Sequence, residues 1–233
     1  ERSGIGWFGK NSNILTASHG SWVFLGQIIT DLAIAPDKPN LKTCGDCQLC
    51  IEKCPTGAIE APYIINNDLC ISFLTIELKG VIPRNLRPLV GDWVFGCDIC
   101  QDVCPVNSEV TQSQEKYFNK RHDFDALELL PLLSLNEEEF RVKFKNSPIK
   151  RTKLEGLKRN VCVALGNLKD KRAIIPLLET VSDKSFVVRV HAVWALGSIG
   201  IDHITSVQLS SALDSEEHPE VINELQNVLN KPS

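Results

Sequence analysis

The sequence predicts an α+β chain in which a cysteine-rich module of loops and short strands precedes a tail of paired α-helices. Two observations carry this prediction. Eight of the nine cysteines lie between residues 44 and 104, and the segment 161–168 recurs in similar form at 192–199. The chain is thereby divided into an N-terminal segment at 1–43, the cysteine-rich module at 44–110, a helical connector at 111–150 and the repeat tail at 151–233.

The composition indicates a water-soluble globular protein. Of the 233 residues, 43% are hydrophobic and 23% are charged, which leaves enough apolar material for a sizeable core. No run approaches the roughly 20 apolar residues that a membrane-spanning helix needs, and the start at Glu1 lacks the apolar stretch of a signal peptide. We therefore expect a cytoplasmic protein whose reduced cysteines can bind metal.

The first cysteine run has the spacing of a bacterial ferredoxin. It consists of Cys44, Cys47, Cys50 and Cys54, followed by Pro55. This spacing lets three thiolates from a single loop reach one four-iron, four-sulfur cluster, while the fourth points to a second cluster. Zinc is the alternative, but a zinc site needs only four ligands, normally in two pairs, and does not require the continuation to Cys54 and Pro55.

A second run, Cys97, Cys100 and Cys104, matches the last three positions of the first run and also ends in a proline. The missing first cysteine must come from elsewhere, and Cys70 is the upstream candidate. In two-cluster ferredoxins the last cysteine of each run binds the other cluster. The sequence therefore predicts two [4Fe-4S] clusters, the first held by Cys44, Cys47, Cys50 and Cys104 and the second by Cys70, Cys97, Cys100 and Cys54.

A long insert, residues 71–96, separates Cys70 from the rest of the second run. A plain ferredoxin run has only two residues at this point. The insert is large enough to form a wall beside a further cofactor or a substrate.

The N-terminal segment contains two further patterns. The apolar run from Ser21 to Ile29 is rich in β-branched and aromatic residues, which predicts a buried strand. Gly4, Gly6 and Gly9 fit the dinucleotide-binding pattern G-x-G-x-x-G. That alternative is disfavoured because only three residues precede the pattern, so no strand can be shown before it, and because two aromatic residues crowd it.

The C-terminal half predicts helices. A helix is expected from Asn136 to Lys145, because three glutamates occupy its first turn, where the helix dipole favours anions. The recurring Ala-Leu-Gly segments at 161–168 and 192–199 resemble short HEAT-like repeats, which form binding surfaces for macromolecules. Cys162 falls on the apolar face of the first repeat helix and is expected to be an inert core residue.

Positive charge is concentrated before and within the first repeat helix. Between Arg141 and Arg172 there are eleven basic residues and only two acidic ones, Glu155 and Asp170. A polyanionic partner is one interpretation, and a solvated helix face is the other. The candidate nucleic-acid contacts are Lys143, Lys145, Lys150, Arg151, Lys153, Lys158 and Arg159.

In combination, several of these motifs resemble the epoxyqueuosine reductase family. The resemblance covers nearly the whole chain and lies in the segments 3–11, 20–26, 44–47, 54–58, 70–77, 96–101 and 147–151, together with the HEAT-like tail. It implies that residues 1–43 are the end of a cobalamin-binding α/β domain. It also implies a reaction, the reduction of epoxyqueuosine to queuosine in the tRNA anticodon wobble position, which is the last step of queuosine biosynthesis.

The resemblance further implies cofactors, partners and site residues. Electrons from an external low-potential donor would pass through the two clusters to cobalamin, with contacts to cobalamin at Ile14, Leu25, Ser72 and Asp98. The proton donor of the family is an aspartate that would lie ahead of Glu1, so no catalytic residue is assigned within the sequence. The protein would act on tRNA as a monomer without a membrane partner. The alternative is a two-cluster electron-transfer module of a cobalamin-dependent, reductive dehalogenase-like enzyme acting on a small molecule.

Overall fold

A computed structural model describes residues 1–118, without the side chain of Tyr117, and residues 128–230. The chain forms two compact units. Unit 1 comprises Glu1–Cys70 and Cys97–His122, and unit 2 comprises Ile71–Gly96 and Asp123–Ser233. The insert 71–96 belongs to unit 2, so the module expected at 44–110 is interrupted there. No boundary separates residues 1–43 from the first cysteine run, since both lie within unit 1.

Unit 1 contains short elements joined by loops. The antiparallel strands β1 (Trp7–Phe8) and β2 (Ile14–Leu15) form one hairpin, and β3 (Ile59–Ala61) and β4 (Ile64–Ile65) form another. Two four-residue helices carry cysteines, α1 (Leu49–Glu52) and α4 (Ile99–Asp102). Short 3-10 turns cover Asn67–Leu69, Pro105–Asn107 and Lys116–Phe118.

Unit 2 is helical. The insert provides α2 (Ile71–Ile76) and α3 (Arg87–Val90), and the connector provides α5 (Leu130–Leu133) and α6 (Glu137–Lys143). The tail provides α7 (Lys153–Leu168), α8 (Ile174–Thr180), α9 (Phe186–Ile199), α10 (His203–Ser215) and α11 (Pro219–Leu229). Additional 3-10 turns cover Pro148–Thr152 and Lys171–Ala173. In the described ranges, none of the helices combines the length and the apolar character needed to span a bilayer.

The helix expected from Asn136 is confirmed, although it ends at Lys143. The Asn136 side chain accepts hydrogen bonds from the backbone N–H groups of Glu138 and Glu139, and the Glu139 carboxylate accepts one from the Asn136 N–H. This reciprocal capping satisfies N–H groups that have no partner within the helix.

The strand expected at 21–29 is wrong. Residues 22–29 belong to no strand, and the side chains of Phe24, Ile28 and Ile29 are 90%, 92% and 101% exposed. Strand propensity describes how a side chain fits a sheet surface, so it cannot produce a strand without a pairing edge. Among residues 1–118 and 128–230, no strand pairs with this run.

The glycine pattern at the N-terminus serves the first hairpin. A Cβ atom on Gly6 would lie 2.2 Å from the Leu15 carbonyl oxygen, and one on Gly9 would lie 2.7 Å from the Asn11 Oδ1 atom. The two-residue strand β1 lies inside the pattern, and the next element is the strand β2, whereas a dinucleotide site requires a strand before the pattern and a helix after it. The structure thus supports the rejection of the dinucleotide interpretation.

The two recurring segments lie on α7 and α9, which pack against each other. Glycine occupies the same place in both segments. A Cβ atom on Gly166 would lie 2.8 Å from the Trp194 ring and 2.9 Å from the Ala195 Cα atom, and one on Gly197 would lie 2.6 Å from Val228 on α11. The glycines therefore allow successive helices of the tail to approach closely.

Gly166→Ala is expected to destabilise unit 2 by about 1–3 kcal/mol, although alanine in a helix interior normally stabilises by about 1 kcal/mol. The cause is the clash with the α9 backbone. Gly156→Ala on the same helix is the control, because its Cβ atom would meet only the Thr152 Cβ atom at 3.3 Å. Urea unfolding followed by far-UV circular dichroism measures both variants, and equal midpoints would contradict the explanation.

Polar side chains on α7 hold the insert. Asn160 Nδ2 donates hydrogen bonds to the carbonyl oxygens of Thr75 and Val94, at 2.7 and 2.8 Å. Two turns further along α7, Asn167 Nδ2 donates hydrogen bonds to the carbonyls of Arg87 and Gly91, both at 2.8 Å. Asn160 is fully buried, so water cannot reach its hydrogen bonds. The asparagine side chains therefore satisfy backbone carbonyl groups of the insert that have no partner within a helix or a strand.

His191 on α9 is a second buried contact to the insert. Its Nε2 atom accepts a hydrogen bond from the Ile82 N–H at 3.2 Å, and its Nδ1 atom lies 2.7 Å from the Val187 carbonyl oxygen. The ring must therefore be neutral, with the proton on Nδ1. Burial, together with the nearby positive charges of Arg87 and Arg159, holds the pKa of His191 well below its usual value.

Unit 2 is therefore expected to lose stability as the pH falls below about 6.5, by up to about 1.4 kcal/mol per pH unit. The lowered pKa means that the unfolded chain binds a proton at His191 before the folded chain does. Urea midpoints at pH 7.5 and 5.5 measure this loss. His191→Gln should have a lower midpoint but a smaller pH dependence, whereas the exposed His203→Gln should behave as the wild type. Equal pH dependence in all three proteins would contradict the prediction.

Candidate metal centre

The two cysteine runs fold alike in unit 1. Cys50 lies in α1 and Cys100 lies in α4, and these two short helices contact each other. In each run the last cysteine follows the helix and its N–H group donates to a carbonyl three residues earlier, from Cys54 to Ile51 at 3.3 Å and from Cys104 to Gln101 at 3.1 Å. Equal spacing thus produces the same local turn twice.

The four cysteines predicted for the first cluster lie together. Cys44, Cys47, Cys50 and Cys104 line one small cavity, which is also lined by residues 9–11 and by Leu15. Burial raises the pKa of the Cys50 thiol, and the neighbouring Cys44 and Cys104 raise it further. Burial likewise raises the pKa of Cys104, with Cys44 and Cys47 among the causes.

The four cysteines predicted for the second cluster form a neighbouring group. Burial raises the pKa of Cys97, and the nearby Cys70 and Cys54 add to the effect. Burial also raises the pKa of Cys100 to about 12, with Cys97, Cys50, Cys70 and Cys54 as further causes. Because Cys50 also acts on Cys100, the two groups of thiols adjoin each other.

The surroundings of these sulfur atoms fit thiolate ligands. Burial raises the pKa of Cys54, but the Thr56 hydroxyl and the N–H groups of Ala58, Thr56 and Ile59 point at its sulfur, and together they lower the pKa. The Thr56 Oγ1 atom lies 3.6 Å from the Cys54 Sγ atom. Such hydrogen bonds stabilise a thiolate and tune an iron-sulfur cluster.

The thiols are not arranged around one ion. Among the residues that the structure describes, no three His, Cys, Asp or Glu side chains converge closely enough to hold a single metal ion. In a four-iron cluster each thiolate binds a different iron atom, so its ligands lie further apart than those of a zinc ion. Cys162 lies apart from both groups, in unit 2, where its side chain is fully buried and burial raises its pKa.

Comparisons with known proteins agree with this geometry. Residues 43–107 match the family model of a 4Fe-4S double cluster binding domain, and residues 153–230 match HEAT repeats. The epoxyqueuosine reductase of Shewanella oneidensis is 44% identical over 199 residues, which are 84% of this chain and 51% of that protein. The chain thus spans about half the length of the curated relatives that it matches.

Solved structures give the same result. The structure of epoxyqueuosine reductase from Bacillus subtilis superposes with a TM-score of 0.92 at 36% identity, over 98% of this chain and 61% of that one. An epoxyqueuosine reductase with an epoxyqueuosine-modified tRNA stem loop gives a TM-score of 0.92 at 35% identity, with the same shares covered. This chain belongs to the epoxyqueuosine reductase family. The predicted resemblance, the 4Fe-4S module and the HEAT-like tail are thereby confirmed.

The residues that the epoxyqueuosine reductase resemblance assigns to cobalamin have different surroundings. Asp98 lines a cavity of about 990 Å³ in unit 1, together with aromatic side chains such as Trp22 and Phe24. Ile14 is half-buried in β2, Leu25 is 62% exposed, and neither lines that cavity. Ser72 is half-buried in α2 of unit 2.

A polar network beside Asp98 was missed by sequence reasoning. Gln101 Nε2 donates to Asp98 Oδ1 at 2.7 Å, and the Ser21 hydroxyl donates to Gln101 Oε1 at 2.8 Å. Asn107 accepts from the Ser21 N–H and donates to the Ser21 hydroxyl, at 2.8 and 2.9 Å. Burial nevertheless raises the pKa of Asp98, and the neighbouring Asp102 adds to this. The network fixes one wall of the cavity. In the sequence, the glutamine that directly follows Cys100 was the one sign of this network.

The basic residues assigned to nucleic acid divide into two classes. Lys143, Lys145, Lys150, Arg151 and Lys153 are exposed in unit 2. Arg151 also pairs with Glu77.

Two of the basic assignments need correction. Arg159 is 1% exposed, and its guanidinium donates hydrogen bonds to the carbonyls of Leu74, Leu78 and Gly80 of the insert. Lys158 is 12% exposed and pairs with Asp183 at 3.0 Å. Both side chains point into unit 2, because α7 places them on its packed face, and neither is presented to a phosphate.

Proposed function

We propose that the protein reduces epoxyqueuosine to queuosine in the tRNA anticodon wobble position. The observation that carries the proposal is the superposition, over 98% of the chain, on an epoxyqueuosine reductase with an epoxyqueuosine-modified tRNA stem loop. The exposed basic residues of 143–153 and the helical repeats add to it, since a small halogenated substrate, as in the reductive dehalogenase-like alternative, would need neither. The reaction would be the last step of queuosine biosynthesis.

In this proposal, unit 1 holds two [4Fe-4S] clusters that conduct electrons from an external low-potential donor. The first would be bound by Cys44, Cys47, Cys50 and Cys104, and the second by Cys54, Cys70, Cys97 and Cys100. All-cysteine ligation gives a low potential, which the N–H groups aimed at the sulfur atoms adjust. The adjoining positions of Cys50 and Cys100 would keep the two clusters close enough for electron transfer between them.

The wide cavity beside Asp98 has apolar walls and a few fixed polar groups, and in this proposal it would hold cobalamin. When bound, it would supply a strongly nucleophilic reduced cobalt that removes the epoxide oxygen. Asp98 and Gln101 would orient polar groups of the cofactor, and Trp22 and Phe24 would exclude water from it. The family resemblance also assigns contacts to Ile14, Leu25 and Ser72, which do not line this cavity. We expect a cytoplasmic monomer as the working form.

Nucleoside mass analysis tests the reaction. Full-length protein reconstituted with iron, sulfide and cobalamin is incubated with epoxyqueuosine-containing tRNA and a reductant. Conversion of epoxyqueuosine to queuosine is expected, and its absence in a protein that retains both cofactors would refute the proposal. If the reconstituted protein retained no cobalamin, an electron-transfer module would be the better description.

Reversing the charge of Lys150, Arg151 and Lys153 to glutamate is expected to weaken tRNA binding at least about tenfold and to flatten its salt dependence, because phosphate contacts release bound cations. Filter binding between 50 and 200 mM salt is a suitable measurement. Lys184→Glu is the control, since Lys184 is exposed in unit 2 but pairs with Glu137 at 3.5 Å. Unchanged affinity and slope in the triple variant would remove these residues from the proposed tRNA contact.

A further inference from the structure

Lys10 places a positive charge beside the first group of cysteines. It lies in the turn between β1 and β2, and its ammonium group donates a hydrogen bond to the Gly45 carbonyl at 2.7 Å. Gly45 directly follows Cys44. Within residues 1–118 and 128–230, Lys10 forms no ion pair with a carboxylate. A carbonyl oxygen carries no full charge, so the charge of the ammonium group is not neutralised.

The turn that carries Lys10 is fixed by contacts to other parts of unit 1. The Lys10 carbonyl accepts a hydrogen bond from the Tyr63 N–H at 3.0 Å. The next residue, Asn11, is 3% exposed and donates from Nδ2 to the Cys100 carbonyl at 3.1 Å. Within the turn, the Ser12 N–H donates to the Gly9 carbonyl at 2.8 Å. These bonds hold the backbone of Lys10 beside the second cysteine run and the β3–β4 hairpin.

Lys10 also lies at the wall of the cavity that the first cluster would fill. Lys10 lines that cavity together with Cys44, Cys47, Cys50 and Cys104. A cluster bound by four thiolates is negatively charged, and reduction by one electron adds a further negative charge. A fixed cation nearby therefore stabilises the reduced form more than the oxidised form.

We propose that Lys10 raises the reduction potential of the first cluster by holding an uncompensated positive charge against its cysteine loop. This inference rests on the proposed function, in which these four cysteines hold a cluster. The hydrogen bond to Gly45 keeps the ammonium group in place, and the rigid turn fixes its distance to the loop. Lys10 would thus favour reduction of the first cluster.

A redox titration with dithionite, followed by electron paramagnetic resonance, tests the inference on the full-length protein with both clusters. Lys10→Met removes the charge and the hydrogen-bond donor, Lys10→Gln removes the charge but keeps a donor, and Lys10→Arg keeps both. Lys38→Met is the control for the loss of one exposed lysine charge in the same unit. A Cys97→Ser background, in which the second cluster is disrupted, assigns the signal of the first.

At a fixed applied potential, Lys10→Met and Lys10→Gln are expected to show an about tenfold lower ratio of reduced to oxidised first cluster, which equals a 59 mV lower potential. Lys10→Arg and Lys38→Met should match the wild type. A full iron content with a wild-type potential in Lys10→Gln would overturn the inference, even if Lys10→Met lost its first cluster. Wild-type protein that binds no iron-sulfur cluster would instead refute the proposed function.

Discussion

Glu224→Gln is expected to lower the free energy of unfolding of unit 2 by about 3–5 kcal/mol. Glu224 is 3% exposed and Arg87 is 2% exposed, and their side chains pair at 2.9 Å. Burial lowers the pKa of Arg87, and the Glu224 carboxylate partly offsets this. The substitution would leave the Arg87 guanidinium charged and buried without its paired carboxylate, with only the exposed Glu220 still acting on it. Removing one partner in this way is the most costly way to break a buried pair.

The measurement is urea unfolding followed by far-UV circular dichroism, with Glu220→Gln as the matched control. Glu220 lies one turn earlier on α11 and is exposed, so its loss should cost only a few tenths of a kcal/mol. A double variant, Arg87→Met with Glu224→Leu, should recover most of the lost stability, because it removes both charges. If Glu224→Gln were as stable as Glu220→Gln, the buried pair would not have the role given to it.

Replacement of cluster ligands should affect the bound iron in a pattern that separates the two clusters. Cys44→Ser and Cys104→Ser are each expected to remove about half of the iron, and the double variant should lose no more than either single variant, because both serines stand in the same ligand set. Cys97→Ser combined with Cys104→Ser should lose nearly all of it. The reason is that Cys104 belongs to the second run in sequence but lies with Cys44 and Cys47 in the structure.

Iron analysis and the absorbance of the reconstituted proteins measure this pattern. Cys162→Ser is the control and should retain all of the iron, because the Cys162 side chain is fully buried in unit 2. If Cys44→Ser and Cys104→Ser were additive, while Cys97→Ser and Cys104→Ser were not, each run would supply its own cluster and the crossed assignment would be wrong.

Spacing along the chain was the most informative feature of the sequence. The positions of the cysteines predicted which thiols lie together, because a two-residue spacing constrains the local turn wherever it occurs. The recurring segments predicted paired helices, because self-similarity at a fixed period indicates a repeated structural unit. Gly166 and Gly197, placed alike in both copies, also carried the information that neighbouring helices approach closely, although only the structure identified the atoms they face.

Features that depend on distant partners could not be predicted. The apolar run at 22–29 has strand composition, but no pairing edge is offered to it by the described residues. Arg159 and Lys158 stand in a basic stretch and still point inwards, because the carbonyls of Leu74 and Gly80 and the carboxylate of Asp183 receive them. Lys10 and Asn11 likewise acquire their contacts from loops far along the chain, so local sequence gave no sign of them.

The discontinuity of unit 2 has a consequence for biogenesis. On the ribosome, the insert 71–96 is synthesised well before its partners Asn160, Asn167, His191 and Glu224. The nascent chain therefore presents all eight clustered cysteines while the segment between Cys70 and Cys97 still lacks its packing contacts. For the same reason, a recombinant version cut near residue 150 would contain every cysteine ligand but an insert without support.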